Sequence, residues 1–138
     1  MKAKNKPVKF RSDCPISSAL DLFGDTWSLL LVRDMVYFGA RTFKDFSEAA
    51  EGISSARLSD RLTKLESLGI ITKKKHRSNK KVYLYQLTTK GYDLFPVIAD
   101  LVLWSHKYLN HHISDAAKQF ANMLEDDREG TINMFLNK

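Results

Sequence analysis

Apolar residues recur at helical spacing through the first part of the chain. Pro15 suits a first helical position, and an apolar stripe continues from it to Gly24. A second stripe follows Asp25 or Thr26, either of which can cap a helix, and Thr42 can cap a short third helix. Because stripes of period 3.6 normally face the interior, the pattern predicts three helices around a common core.

A fourth helix is predicted between Ser54, which can cap it, and Gly69, which can end it. Leucines at helical spacing form its buried stripe. A helix is slim enough to enter the DNA major groove, where hydroxyls and arginines suit base edges and phosphates. The candidate DNA-binding residues of this helix are Ser54, Ser55, Arg57, Ser59, Arg61 and Lys64.

After Gly69 the pattern changes from helical to alternating. GIITKKKH and KVYLYQL are rich in β-branched and aromatic residues, and the polar turn RSNK separates them. This pattern predicts a β-hairpin. Tyr83, Tyr85 and Leu87 share one face of the second strand, and we expect that face to pack on the helices.

The second half of the chain predicts further helices. Thr88 or Thr89 can cap a long helix, which Pro96 is expected to bend. SDAAKQFANMLEDD predicts another amphipathic helix, whereas GTINMFLNK has no decisive pattern. The long helix, together with the first helix and the segment around Phe120 to Leu124, offers more apolar surface than a small core can cover, which predicts a homodimer. The expected interface residues are Ile16, Leu20, Leu94, Ile98, Leu101, Trp104 and Tyr108.

The positive charge is concentrated in two places. The net charge is +6, and residues 73–81 carry six cations and no anion. Residues 1–13 carry five cations and one anion, and we expect them to form a flexible basic tail. Such clustering is typical of a domain that meets a polyanion at chosen points, although a solvated turn is the alternative. The candidate DNA-binding residues of the hairpin are Lys73, Lys74, Lys75, Arg77, Asn79, Lys80 and Lys81.

Several classes of protein are disfavoured. The apolar runs are too short to span a bilayer, and the basic start is not followed by a secretory signal pattern. The single cysteine, Cys14, agrees with a reducing compartment, so a cytoplasmic protein is expected. No cofactor is expected, and the spacing of His106, His111 and His112 does not suit a metal site.

The last three of the four helices predicted before the hairpin, followed by the hairpin itself, give the element order of a winged helix-turn-helix protein. The chain resembles the HxlR family of bacterial transcription regulators, relatives of the MarR-type proteins. The matching pieces, in order, are CPI, GDTWSLLLVRD, RTFKDF, GISSARLSDRLTKLESLGII, VYLYQLTTKG and LFPVIADLVLW. The chain departs from the family pattern at Ala56, Arg57, Asp60 and Lys81, which leaves the operator sequence open.

The resemblance implies a mainly α fold with one small β-hairpin and long C-terminal dimerisation helices. It also implies a homodimeric repressor that binds palindromic double-stranded operator DNA through two recognition helices, with each hairpin touching the flanking minor groove or backbone. The expected division is a basic tail at residues 1–13, a DNA-binding domain with its dimerisation helix at 14–112, and a helical extension at 113–138.

Cys14 is the one residue with reactive potential. At a helix N-terminus near Arg11, its thiolate would be stabilised by the helix dipole and a positive neighbour, although Asp13 opposes this. Some HxlR-type proteins sense oxidants or electrophiles through a cysteine in this position, which makes a redox switch one hypothesis. The other is a small residue packed at the dimer seam.

Two further functions compete with DNA binding. One is a thiol enzyme using Cys14, but the sequence offers no resolving cysteine and no histidine and acid at motif spacing, so no enzyme is expected. The other is a winged-helix module for protein contacts, which the basic hairpin argues against.

Overall fold

In residues 7–137, the part of the chain that this computed structural model describes, four helices precede a β-hairpin and four follow it. This order confirms the predicted mainly α fold with one small hairpin. The first six residues of the predicted basic tail lie outside the described residues. No helix within 7–137 combines the length and the apolar character needed to cross a bilayer. The elements are α1 (Pro15–Phe23), α2 (Ser28–Val36), α3 (Phe43–Ser47), α4 (Ser55–Ser67), β1 (Ile71–Lys75), β2 (Tyr83–Leu87), α5 (Thr89–Tyr92), α6 (Phe95–Tyr108), α7 (Asp115–Asp126) and α8 (Arg128–Leu136).

Polar side chains cap the early helices as predicted. The Asp25 carboxylate accepts hydrogen bonds from the backbone N–H groups of Trp27 and Ser28, both at 3.0 Å, and so satisfies the start of α2. Thr42 forms a capping box at the start of α3. Ser54 caps α4 through its hydroxyl. Local sequence therefore fixes where these three helices begin.

The hairpin leaves α4 through a short turn in which Gly69 has a φ of +74°. Glycine suits this left-handed conformation because it lacks a Cβ. β1 and β2 pair antiparallel, and Tyr85 of β2 also donates its backbone N–H to the Arg41 carbonyl at 2.7 Å. Tyr85 is buried and Leu87 packs on the core, which confirms the predicted inward face, while Tyr83 remains partly exposed.

The prediction that Pro96 bends a long helix is wrong. The helical region divides instead into α5, which Thr88 caps, and α6, in which Pro96 lies in the first turn. The first turn of a helix needs no intrahelical hydrogen bond from its backbone nitrogens, so proline is accommodated there without a kink.

The C-terminal helices pack on the preceding domain through an aromatic cluster. Tyr37, at the C-cap of α2, lies with its ring centroid 5.4 Å from that of Phe120 of α7 and 5.3 Å from that of Phe135 of α8. Phe95 of α6 stacks against Phe120 at 6.3 Å. The helix predicted after residue 112 is confirmed as α7, and the undecided last segment forms most of α8, which begins two residues earlier. Phe120 and Leu124, expected to add apolar surface to the dimer, are instead buried in the core of the single chain because α7 packs on α6. The extension is thus continuous with the core.

Candidate nucleic-acid interface

Helix α4 presents a polar face to solvent, while leucines of its predicted stripe are buried. The Ser54 hydroxyl accepts the backbone N–H of Arg57 at 3.2 Å, so this predicted DNA-binding residue also caps the helix. Ser55, Arg57 and Ser59 are exposed. Among the described residues, no carboxylate lies within ion-pair distance of the Arg57 guanidinium. These three side chains are free to contact a ligand.

Arg61 and Lys64 lie elsewhere on α4, towards the corner between α1 and α2. Arg61 pairs with Asp25 at 3.4 Å and with Asp60 at 2.6 Å, and its side chain is only 23% exposed. Lys64 is half-buried, and its charge acts on the Asp21 carboxylate of α1. The structure therefore separates these two predicted DNA-binding residues from the exposed face of the helix.

The hairpin, from Ile71 to Leu87 and hereafter the wing, keeps its charges unpaired. Lys73 is half-buried, with its Nζ 4.6 Å from the ring centroid of Tyr83, a cation–π contact. No ion pair joins a wing cation to a carboxylate in the described part of the chain. The other predicted residues of the wing are exposed: Lys74, Lys75, Arg77, Asn79, Lys80 and Lys81.

The tip of the wing is ordered by two side chains. The Nδ1 atom of His76 accepts the backbone N–H groups of Ser78 and Asn79 at 3.0 and 3.2 Å. Asn79 in turn accepts the backbone N–H of Lys81 through its side-chain oxygen at 3.1 Å. These bonds give the basic turn a defined shape.

Asp25 connects the α1–α2 corner to α4. Burial acts to raise the pKa of its carboxyl, but hydrogen bonds from the Ser28 hydroxyl and from the backbone of Trp27 and Ser28, together with the Arg61 charge, hold that pKa below its usual range. Asp60 and then Asp25 raise the pKa of Arg61. The sequence contained a capping signal for Asp25 but none for its pairing with Arg61.

Cys14 is exposed at the N-cap of α1, and its side chain makes no capping hydrogen bond. Arg11, expected beside the thiol, bonds instead to Asp21 on the next turns of the helix, through both its backbone N–H and its guanidinium. The end of the predicted tail is therefore held against α1. The structure leaves the thiol open to solvent reagents.

Apolar side chains on α1 and on α6 remain exposed in the single chain, and the two sets together are hereafter called the apolar strip. α1 buries none of its residues, and Ile16 is 72% exposed. On α6, Leu101, Trp104 and Tyr108 are more than half exposed, and the two rings lie 5.2 Å apart. Two other residues that were predicted to lie in the dimer interface belong to the core of the single chain instead. Leu94 packs against that core, and Ile98 is part of it, with only 7% of its surface exposed. We define the strip by its exposed members, which are Ile16, Leu20, Val97, Leu101, Trp104 and Tyr108.

Within residues 7–137 no group of three or more histidine, cysteine or acidic side chains is arranged to hold a metal ion. His106 instead lies 3.5 Å from Glu125 of α7, and its Nδ1 lies 3.0 Å from the Asn110 side-chain amide. These contacts join α6 to α7 and to the segment that follows α6.

The part of the sequence that forms α2 to α6 identifies the family of the chain. The model of the HxlR-like helix-turn-helix proteins matches residues 22–113. The chain belongs to this family. The HxlR-like match includes α4 and the whole wing, whereas Cys14, α7 and α8 lie outside it. The fold and the resemblance predicted from the sequence are thereby confirmed.

Curated relatives and solved structures agree with the HxlR-like assignment. The HTH-type transcriptional regulator MT3179 of Mycobacterium tuberculosis is 36% identical over 94 residues, which are 68% of this chain and 58% of that protein. The chain thus spans little more than half the length of this relative. The HTH-type transcriptional regulator YodB of Bacillus subtilis is 29% identical over 96 residues, covering 69% of this chain and 85% of YodB.

Two of the similar solved structures are also regulators. The reduced form of YodB has a TM-score of 0.56 at 29% identity and covers 70% of this chain and 95% of its own. The oxidized form of the redox regulator HypR has a TM-score of 0.59 at 25% identity, covering 68% and 96%. HxlR-like proteins and these relatives are transcriptional regulators rather than enzymes, which agrees with the expectation from the sequence.

Proposed function

We propose that the protein is a cytoplasmic, homodimeric repressor that binds palindromic double-stranded operator DNA through α4 and the wing. The observation that carries this proposal is the concentration of unpaired cations on the wing, which follows directly after α4. Like charges at this density oppose folding unless a polyanion offsets them. Duplex DNA does so, because each phosphate contact releases condensed counterions.

The two elements have different tasks in this proposal. The exposed wing cations contact phosphates and supply affinity without sequence preference. Ser55, Arg57 and Ser59 project from α4 into the major groove, where arginine pairs with guanine through two hydrogen bonds. Only the α4 contacts then discriminate one base sequence from another.

The apolar strip supports the homodimer. A nine-residue helix such as α1 is not stable in water by itself, so packing must hold it. Yet Ile16 and Leu20 are exposed in the single chain, and only a partner surface can cover them. A second copy offers the same strip, as a two-fold interface requires. Two copies of α4 then meet two half-sites of a palindrome.

Selection of bound fragments from genomic DNA, followed by footprinting, tests this proposal. The expected result is a protected region with two-fold symmetry, whose half-sites are about 10 base pairs apart or a multiple of this. Repression follows if the dimer occupies the promoter, and in vitro transcription from the selected promoter is expected to fall as protein is added. Failure to enrich any fragment at low salt, or an asymmetric single site, would contradict the proposal.

We further propose that Cys14 senses electrophiles, with support from its exposure and from the described relatives. One similar structure is the quinone-bound YodB of Bacillus subtilis, at 28% identity and a TM-score of 0.54. In this chain Cys14 Sγ adds to a ring carbon of the quinone, and the thiol proton moves to one carbonyl oxygen. The hydrogen of the attacked ring carbon then moves as a proton to the other oxygen, which leaves a thio-substituted hydroquinone. The added ring on α1 disturbs the apolar strip and so the dimer.

Operator binding before and after treatment with benzoquinone tests the role of Cys14. Wild-type protein is expected to lose operator affinity, and Cys14→Ser is expected to bind DNA normally and to be insensitive to the reagent. If mass spectrometry finds the adduct and DNA affinity is unchanged, Cys14 is a seam residue rather than a switch.

A further inference from the structure

A cavity of about 320 Å³ lies between α2, α6 and α7, and the proposed DNA-binding surface does not use it. Its volume falls within the range of about 300–1,000 Å³ that is typical of small-molecule sites. Because α7 lies beyond the residues that the HxlR-like family model matches, one wall of the cavity is specific to the C-terminal extension of this chain.

Four aromatic side chains line the cavity. Tyr37 and Phe38 meet edge to face, with centroids 4.9 Å apart, and Phe38 is exposed while Tyr37 is partly buried. Phe95 and Phe120 are buried, with centroids 6.3 Å apart. The accessible rings can contact a bound planar molecule, and aromatic pairs favour offset stacking or edge-to-face contacts. The wall therefore suits a flat aromatic ligand better than a flexible aliphatic one.

The charge at the cavity disfavours an anion. Arg33 borders it, but Glu51 binds the guanidinium at 2.8 and 2.9 Å and Asp34 binds it at 2.7 and 2.9 Å. The hydrogen bonds that Arg33 donates to Glu51 and Asp34 raise the pKa of Arg33. One cation thus faces two carboxylates, which accept four hydrogen bonds from the guanidinium, so an anionic ligand would meet two negative charges against one positive charge.

The rim of the cavity remains open to solvent. Phe38 lines the cavity although its side chain is 67% exposed. Ala116, also exposed, lines it from the first turn of α7. An exposed aromatic ring and a small residue at the rim leave an entrance that a small molecule can pass.

The same arginine connects the cavity to α4. Glu51, its partner, lies in the turn before α4, where Gly52 has a φ of +69° and Ser54 caps the helix. A ligand that displaces Arg33 or Phe38 therefore alters the ion pair that holds this turn. Phe38 and Arg33 already contact each other, with the guanidinium carbon 5.6 Å from the ring centroid.

We propose that this cavity binds one small, planar aromatic molecule without an anionic group, and that the bound molecule alters the start of α4 through Arg33 and Glu51. The inference deepens the proposed function, on which its consequence for DNA binding rests. Occupation of the cavity is independent of DNA and is measured without it, so the two proposals fail separately.

Titration with 1-naphthol, followed by ligand-observed NMR, tests occupation. We expect saturable binding at one site per chain with a dissociation constant below about 1 mM, and at least about tenfold weaker binding of the anionic 1-naphthoate. Ala116→Trp places an indole across the entrance and is expected to abolish binding. Gln119→Trp adds the same ring to an exposed position of α7 that does not line the cavity, and it is expected to bind as the wild type does.

Three results of this titration would contradict the proposal. Non-saturable binding, equal affinity for 1-naphthoate, or unchanged affinity in Ala116→Trp would overturn it. Urea unfolding of both variants shows whether each is folded. If Ala116→Trp is unfolded, Val102→Phe fills the cavity from α6 instead, with the same expected loss of binding.

Backbone amide NMR tests the connection to α4. Addition of 1-naphthol is expected to shift the Gly52 and Ser54 amide signals in the wild type. Glu51→Gln weakens the bond to Arg33 and is expected to retain 1-naphthol binding while the shift at Ser54 is at least halved. Binding with no shift at Gly52 or Ser54 in the wild type would overturn the proposed connection.

Discussion

Two arginines one turn apart on α4 have opposite surroundings. Arg57 is exposed and has no ion-pair partner among the described residues, while Arg61 is held by Asp25 and Asp60. A guanidinium already bound by carboxylates must give up those contacts before it can bind a base. Arg57 is therefore the better candidate for reading a base. The sequence pattern does not distinguish the two residues, because each arginine directly precedes a leucine of the buried stripe.

The first prediction separates these roles. Arg57→Ala is expected to cost about 1–3 kcal/mol of operator binding and less on random DNA, because a base contact is lost. Arg61→Ala is expected to weaken operator and random DNA equally and to lower the free energy of unfolding by up to about 1 kcal/mol. Fluorescence anisotropy with both DNAs and urea unfolding measure these effects. An equal loss for Arg57→Ala on both DNAs would assign Arg57 to the phosphate backbone.

A second prediction concerns the pH dependence of stability at Asp25. Its pKa in the folded protein lies below the ordinary value of 3.8, so its charged form stabilises the fold above pH 3.8, and this contribution is lost as the pH falls through the lower folded pKa. Asp25→Asn, which resembles the protonated acid, is expected to cost about 0.5–1 kcal/mol at pH 5–7. The difference from the wild type should shrink below pH 3.8.

Urea unfolding at pH 7, 5 and 3 makes this measurement. Asp13→Asn serves as the control because Asp13 is exposed and lies before α1, away from the Asp25 contacts. A difference for Asp25→Asn that is constant down to pH 3 would mean that the charge of Asp25 contributes nothing to stability.

At the scale of elements, local signals predicted most of the fold. The capping side chains Thr42 and Ser54 act within three residues of themselves, and the change from helical to alternating pattern at Gly69 marks the hairpin. These features depend on neighbouring residues, so sequence patterns contain them. The sequence pattern did not predict that α5 and α6 are separate helices. A proline at position 96 is compatible both with one bent helix and with a new helix that begins just before it, and tertiary packing decides between the two.

The candidate site was predicted less completely than the fold. The exposed wing cations follow from composition, but the inward direction of Arg61 depends on Asp25, which lies far away in the sequence. The burial of Ile98 likewise depends on how α6 packs on α2 and α7. A single sequence does not show which distant residues will be in contact. Asp25 is explained locally as a helix cap and Arg61 as an exposed DNA-binding residue, so neither pattern predicts that the two side chains pair.

A third prediction belongs to the apolar strip of α1 and α6. Leu101→Glu places a charge in the proposed interface and is expected to convert the dimer into a folded monomer, since Leu101 is already exposed in the single chain. Light scattering at micromolar concentration gives the mass. Met134→Glu on α8, where Met134 is similarly exposed, is the matched control and is expected to remain dimeric. A monomeric wild type would contradict the proposal.

At the scale of the whole molecule, positive and negative charges occupy different regions. The wing carries six cations in nine residues, whereas the chain between Cys14 and Thr72 contains more acidic than basic side chains. Because the charges are separated in this way, the electrostatic field of the protein favours an approach to a polyanion in which the wing faces the polyanion. The extension formed by α7 and α8 packs on α6, so its helices add a wall of the proposed ligand cavity to the fold rather than a second charged surface.

The measurement that tests the central claim most directly is the salt dependence of DNA binding with the wing neutralised. In the variant with Lys74, Lys75, Arg77 and Lys80 all replaced by Ala, the slope of log K against log salt is expected to become shallower by about 3 to 4, because each phosphate contact contributes about 0.9. Lys107→Ala with Lys118→Ala, outside the wing, should leave the slope unchanged. An unchanged slope in the wing variant would contradict the account.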